Sequence, residues 1–84
     1  MVRLVYFAWV RERIGLPHED VIVPVGVTSI AGLIAWLAAR GEHYAYAFEA
    51  AASIRAAIDK KHVKHEALIE GAREIAFFPP MTGG

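Results

Sequence analysis

The sequence predicts an α+β domain, a single mixed β-sheet with one main helix packed on one face. Three observations lead there. Stretches with the two-residue alternation of strands lie near both ends of the 84 residues. Between them sits one clear apolar stripe of helical period, Ile30, Leu33, Ile34 and Leu37, with Trp36 beside it. The long crossover made by that helix allows the first and last strands to pair in parallel. Length and composition agree. Eighty-four residues are enough for one domain and too few for two. A 56% hydrophobic chain can build the dense core so small a domain needs, with no cysteine to staple it.

Taken in order, residues 3–10 are rich in β-branched and aromatic side chains and read as the first strand. Leu4, Tyr6 and Ala8 fall on one face and Val5, Phe7 and Trp9 on the other; both faces are apolar, as in a covered strand or one that meets a partner. Arg11-Glu12-Arg13 before Gly15 and Pro17 reads as a polar connection. Residues 20–25, with Val21, Ile22 and Val23, form the second strand, and Pro24 marks it as an edge strand or its end. Thr28 and Ser29 offer cap oxygens for the helix that starts near Ile30, and Gly41 stands where a left-handed residue would end it. The alanine-rich residues 44–52 suit a second, shorter helix with Tyr44, Phe48 and Ala51 on one side. From Ser53 the period drops to two: Ile54, Ala56 and Ile58 alternate with Arg55, Ala57 and Asp59, and Asp59-Lys60-Lys61 forms a polar turn. Residues 62–70 hold a short strand and a turn ending at Gly71. Residues 73–78 are the last strand, with Ile75 and Phe77 on one face and Ala76 and Phe78 on the other. Pro79-Pro80 ends it, because successive prolines donate nothing to a ladder. The order is that of a β-grasp roll over residues 1–78, followed by an extended tail at residues 79–84.

Charge and composition exclude several function classes. Nine basic residues balance nine acidic ones, which argues against nucleic acid, whose binding needs a basic face. The longest apolar run, residues 30–39, falls well short of the roughly 20 residues of a membrane-spanning helix. The N-terminus runs straight into a strand pattern without a basic region or cleavage site, so no signal peptide is expected, and the lack of cysteine fits the cytoplasm. His62 and His65 lack the i, i+4 spacing of a helical zinc pair, and no metal site is expected. Lys60, Lys61 and Lys64 read as a solvated turn interrupted by Asp59 and Glu66. There is no glycine-rich phosphate loop, and Glu12, Glu19, Asp20 and Glu49 are too scattered for an acid–base pair.

The C-terminus is the informative part. Pro79 and Pro80 favour a stiff exit from the last strand. Met81 and Thr82 extend it, and Gly83 and Gly84, lacking side chains, suit a narrow channel in another protein. The functional group of Gly84 is its α-carboxylate, a poor electrophile until activated, for example as an acyl-adenylate. If Leu4, Tyr6, Ala8, Ile75 and Phe77 face the helix, then Val5, Phe7, Trp9, Ala76 and Phe78 lie on the other sheet face. An uncovered apolar patch on so small a domain marks a protein interface.

These residues resemble the molybdopterin synthase small-subunit family (MoaD type), which are ubiquitin-like sulfur carriers. The similarity is densest at Val5-Tyr6-Phe7-Ala8-Trp9-Val10-Arg11-Glu12 and from Glu74 through Phe77-Phe78-Pro79-Pro80-Met81-Thr82-Gly83-Gly84. The resemblance implies that an adenylating enzyme uses ATP to activate Gly84, that a sulfur donor converts it to a thiocarboxylate, and that the tail then enters the synthase large subunit. There the sulfur passes to a cyclic pyranopterin precursor. It also implies partner contacts at Phe7, Arg11 and Phe78, and no cofactor bound to this chain, since ATP belongs to the adenylating enzyme. The chain would then be a non-catalytic subunit of a sulfurtransferase. It departs from the family pattern at Glu70-Gly71-Ala72-Arg73-Glu74, where many members carry Asp-Gly-Asp-Glu, at Asp59, where asparagine is usual, and at Met81, where valine is common. Two other readings stay open: a related carrier or modifier serving another pathway, and a β-grasp interaction module whose tail is never modified.

Overall fold

The computed structural model describes residues 1–80 of the chain. Its strands are β1 (Val2–Tyr6), β2 (His18–Val21), β3 (Arg55–Ile58), β4 (Lys61–Val63) and β5 (Glu74–Phe78). Its helices are α1 (Ala8–Ile14), α2 (Ile30–Ala38) and α3 (Glu42–Ala47), followed by a single 3-10 turn at Ala51–Ser53. The sheet runs β2-β1-β5-β3-β4. β1 and β5 are parallel and central, with Leu4 opposite Ile75 and Tyr6 opposite Phe77; every other pairing is antiparallel. This mixed sheet with helices on one face is the β-grasp fold.

The core lies where alternation and the helical stripe place it. Leu4, Tyr6, Ile75 and Phe77 point from the sheet into Ile30, Leu33, Ile34 and Leu37 of α2, and all of them are buried. Phe77 is the hub: its ring stacks on Tyr6 at 6.3 Å and takes Phe48 edge-on at 5.4 Å. The N-terminus of α2 is fully provided for. The Ser29 hydroxyl accepts from the Gly32 N–H at 3.1 Å, and the Ile30 and Ala31 amides donate to the carbonyls of Ala67 and His65.

Several elements differ from the sequence reading. The first strand stops at Tyr6, and residues 8–14, including the supposed connection Arg11-Glu12-Arg13, are helical. The run from Leu4 to Val10 is apolar throughout and satisfies both periods, so alternation alone did not separate strand from helix. What decides is tertiary: Val10 and Ile14, one helical turn apart, both bury, and Gly15 closes α1 with φ 91° and an N–H donated to the Arg11 carbonyl. The junction is Ala8 at φ 51°, a left-handed alanine that turns the chain out of the sheet. Ala8 is therefore exposed rather than core-facing, and Trp9 leaves the sheet face altogether to pack beside Arg13, whose guanidinium carbon lies 4.5 Å from its ring centroid.

The second strand occupies residues 18–21 and ends before the segment holding Pro24, so Ile22 is left exposed. Gly41 does not end α2. That helix closes through right-handed Ala39, and Gly41, extended at φ 164°, accepts the Ala45 N–H as the start of α3. The predicted helix over residues 44–52 is α3 plus the separate 3-10 turn.

Candidate functional site

The sheet face turned away from the helices is the candidate site. Its middle is a row in register across five strands: His18, Val5, Ala76, Ala57 and His62. The three central side chains are small and apolar, which leaves a shallow, flat surface. Phe78 projects from this face at the end where the chain leaves β5, directly opposite Arg55. It is half-buried, and the His62 ring leans on it at 5.1 Å and 53°. At the other end of the face Asp20, Arg3 and Glu74 lie side by side, with Arg3 and Asp20 paired at 3.7 Å.

Phe7 caps the start of α1 and is 48% exposed, a large value for so big an apolar side chain; its N–H donates to the Phe77 carbonyl at 3.1 Å, which fixes it beside the exit of β5. Arg11 is exposed one helical turn later, and its N–H donates to the Phe7 carbonyl. Val5, Ala76 and Phe78 share the open face as alternation predicts, while Trp9 does not. Pro79 and Pro80 continue from β5 without regular structure and are half-buried. Met81, Thr82, Gly83 and Gly84 lie outside the described residues.

Behind the face, a polar knot ties its edge to the helices. Glu19 on β2 accepts from the Tyr6 hydroxyl at 2.8 Å and the Tyr44 hydroxyl at 2.6 Å on one oxygen, and from Arg40 at 3.3 Å on the other. Burial alone would raise the Glu19 carboxyl, but the hydrogen bonds from the two tyrosines and the charge of Arg40 bring it below the ordinary carboxylate value. Burial first, and then the bond to Glu19, push the Tyr6 hydroxyl far up and the Tyr44 hydroxyl to about 12. Arg13 makes a second tie, between α1 and α3: it lies over the Tyr46 ring at 4.1 Å and donates to the Tyr46 carbonyl and to Glu49. A local signal for these partners does not exist, since Glu19 and Tyr44 are 25 residues apart.

The remaining candidates have other uses. His65 donates its Nε2 proton to the Ile54 carbonyl at 2.6 Å, so it is a structural residue rather than a solvated one. Asp59 and Lys60, at φ 47° and 73°, form the two-residue turn between β3 and β4, as a type I′ hairpin requires. The Asp59 carboxylate also accepts the N–H groups of Arg73 and Glu74 at 3.0 and 2.9 Å, pinning the start of β5. Among the described residues no group of three or more His, Asp or Glu side chains converges, and no helix is long and apolar enough to cross a membrane. A cavity of about 570 Å³ lies at the opposite end of the sheet, between Val2, Val23, Val27, Leu68 and Ile69.

The arrangement presents the end of the central strand beside an uncovered apolar face, and among the described residues no nucleophile and base are brought together. Known proteins with this design are similar along the whole chain. Two curated relatives, each named molybdopterin synthase sulfur carrier subunit, one from Escherichia coli and one from Haemophilus influenzae, are 31% identical over 84 residues, with all of both chains covered. Among solved structures, SAMP1 from Haloferax volcanii superposes with a TM-score of 0.71 at 20% identity, covering 99% of this chain and 98% of that one, which shows the shared fold. The model of the ThiS family matches residues 4–84, nearly the entire chain, and the chain belongs to that family.

Proposed function

We propose that this chain is a sulfur carrier of molybdenum cofactor biosynthesis, the small subunit of a molybdopterin synthase. The observation that carries the reading is the way β5 is held. It is the inner strand of the sheet, bonded on both sides, and it delivers Phe78 and Pro79-Pro80 beside an uncovered apolar face flanked by Phe7. A strand anchored in this way keeps the tail root in one place while the residues beyond it reach into another protein. The full-length similarity to two molybdopterin synthase sulfur carrier subunits supports the same reading.

The chemistry is that of the Gly84 carboxylate. A carboxylate oxygen attacks the α-phosphorus of ATP on an adenylating enzyme, and pyrophosphate leaves. Sulfide released by a donor attacks the activated acyl carbon, AMP leaves, and loss of the sulfide proton leaves the tail as a thiocarboxylate. Gly83 and Gly84 thread the partner's channel because they have no side chains to obstruct it, and Pro79 and Pro80 keep the approach extended. In the large subunit the thiocarboxylate sulfur bonds to the pyranopterin precursor, water hydrolyses the resulting thioester, and the Gly84 carboxylate returns while the sulfur stays on the precursor. This chain supplies the sulfur and the docking surface; Phe7, Arg11 and Phe78 are the contacts, and the large subunit supplies the catalytic side chains.

The test is reconstitution. The thiocarboxylated chain mixed with the large subunit and precursor should yield molybdopterin, and a chain lacking Gly84 should yield none while folding normally. Equal activity from the truncated chain would remove the tail from the mechanism.

A further inference from the structure

Charge is distributed unevenly along the open face. At the end where β1 and β5 begin, Arg3 is paired with Asp20 and lies in register with Glu74, so that end is compensated, with one carboxylate in excess. At the end where the tail leaves, Arg55 is the charged strand residue on the face. It is exposed, stands directly opposite Phe78, and makes no ion pair among the described residues. The recess beside it is also lined by Lys64 and Glu66, whose charges cancel and leave the guanidinium as the excess.

An aromatic that docks takes its immediate surroundings out of water with it. A guanidinium next to it would then lose hydration without return unless the opposing surface offered an anion. A carboxylate is the natural match, because the planar fork of arginine binds it through two parallel hydrogen bonds. We infer that the open face docks on a protein surface that is apolar opposite Phe78 and bears a carboxylate opposite Arg55, so that an acidic rim borders the entrance taken by the tail. The inference rests on the carrier reading and deepens it by stating the chemistry of the partner's surface. Arg55 is then a specificity residue: it speeds encounter with large subunits that carry the acidic rim and disfavours surfaces that are basic there.

The experiment is association of the purified chain with the molybdopterin synthase large subunit of the same organism, followed by stopped flow at low and high salt. The variants are Arg55→Glu, Arg55→Lys and Lys60→Glu. Lys60→Glu makes the same charge change in the hairpin turn at the far end of β3. Arg55→Glu should weaken binding by about tenfold or more at low salt, mainly through slower association, and the deficit should shrink at high salt. Arg55→Lys should retain most of the rate and Lys60→Glu nearly all of it. Wild-type binding unchanged in Arg55→Glu, or lowered equally by Lys60→Glu, overturns the acidic rim and leaves the carrier reading intact. A folded wild-type chain that does not bind the large subunit at all overturns both.

Discussion

Replacing Glu19 by alanine removes the acceptor that three side chains share. The Tyr6 hydroxyl belongs to a residue only 1% exposed, so it loses its partner where water cannot replace it, at about 1–3 kcal/mol. Tyr44 is half-buried and part of its hydroxyl can turn to solvent, so about 1 kcal/mol goes there. Arg40, with a third of its side chain exposed, adds under about 1 kcal/mol. The total is about 2–5 kcal/mol, which reaches the range for breaking one side of a largely buried ionic group. That is a large part of the stability of an 84-residue domain. Urea unfolding at neutral pH, extrapolated to water, measures it, and Tyr44→Phe should cost only about 1 kcal/mol in the same assay. A Glu19→Ala loss below about 1 kcal/mol would refute the claim that this knot holds β2 to the helices.

The same knot sets the pH limits. Because the folded Glu19 carboxyl is lowered, the unfolded chain binds more protons in acid. Its contribution is complete above the ordinary carboxylate value and is lost as pH falls through the lowered folded value. Tyr6 and Tyr44 run the other way: their contribution is complete below their ordinary value of 10.0 and is lost as pH rises above it, for Tyr44 toward about 12. Glu19→Gln should therefore flatten the acid limb of the stability profile, and an acid limb as steep as that of the wild type would place the acid sensitivity elsewhere.

Other predictions follow from single contacts. Phe78→Ala should weaken large-subunit binding by about 1–3 kcal/mol in calorimetry while leaving the fold intact, as expected for an aromatic anchor; unchanged affinity would move the anchor elsewhere. Asp59→Asn should be nearly neutral to urea, because an amide oxygen can accept the same two N–H groups, whereas Asp59→Ala should cost about 1–3 kcal/mol. Equal stability of the two variants would show that the side chain does not hold β5. One residue added beyond Gly84 should block sulfur loading without altering the circular dichroism of the domain, and normal loading would exclude chemistry at the Gly84 carboxylate.

What was legible in the sequence is what neighbours in the chain decide. The α2 stripe and its Ser29 cap lie within a few residues of one another, and both occur as read. The alternation at Ile75 to Phe78 puts two side chains in the core and two outside it, and the crossover does bring β5 parallel to β1. Illegible features depend on the third dimension. Nothing local tells an alanine at position 8 to adopt a left-handed φ, and the apolar run around it fits either period. Gly41 carries the same signal whether it ends one helix or begins the next. Glu19 looks like one of several scattered carboxylates until β2, β1 and α3 bring two tyrosines to it. Of the site, the face holding Val5, Ala76 and Phe78 was readable. The place of Arg55 beside Phe78 depends on the β3–β5 register, which pattern alone does not set. The Asp59 exchange for the usual asparagine becomes intelligible once both are seen to offer the same oxygen to β5.

The central claim is that this chain carries sulfur on Gly84. The most direct measurement is its intact mass after incubation with ATP, its adenylating enzyme and a sulfur donor. The account predicts a gain equal to the exchange of one oxygen for sulfur, located at the C-terminal residue by fragmentation and absent when Gly84 is deleted. An unchanged mass, with the adenylating enzyme shown to load another carrier in the same mixture, would contradict it.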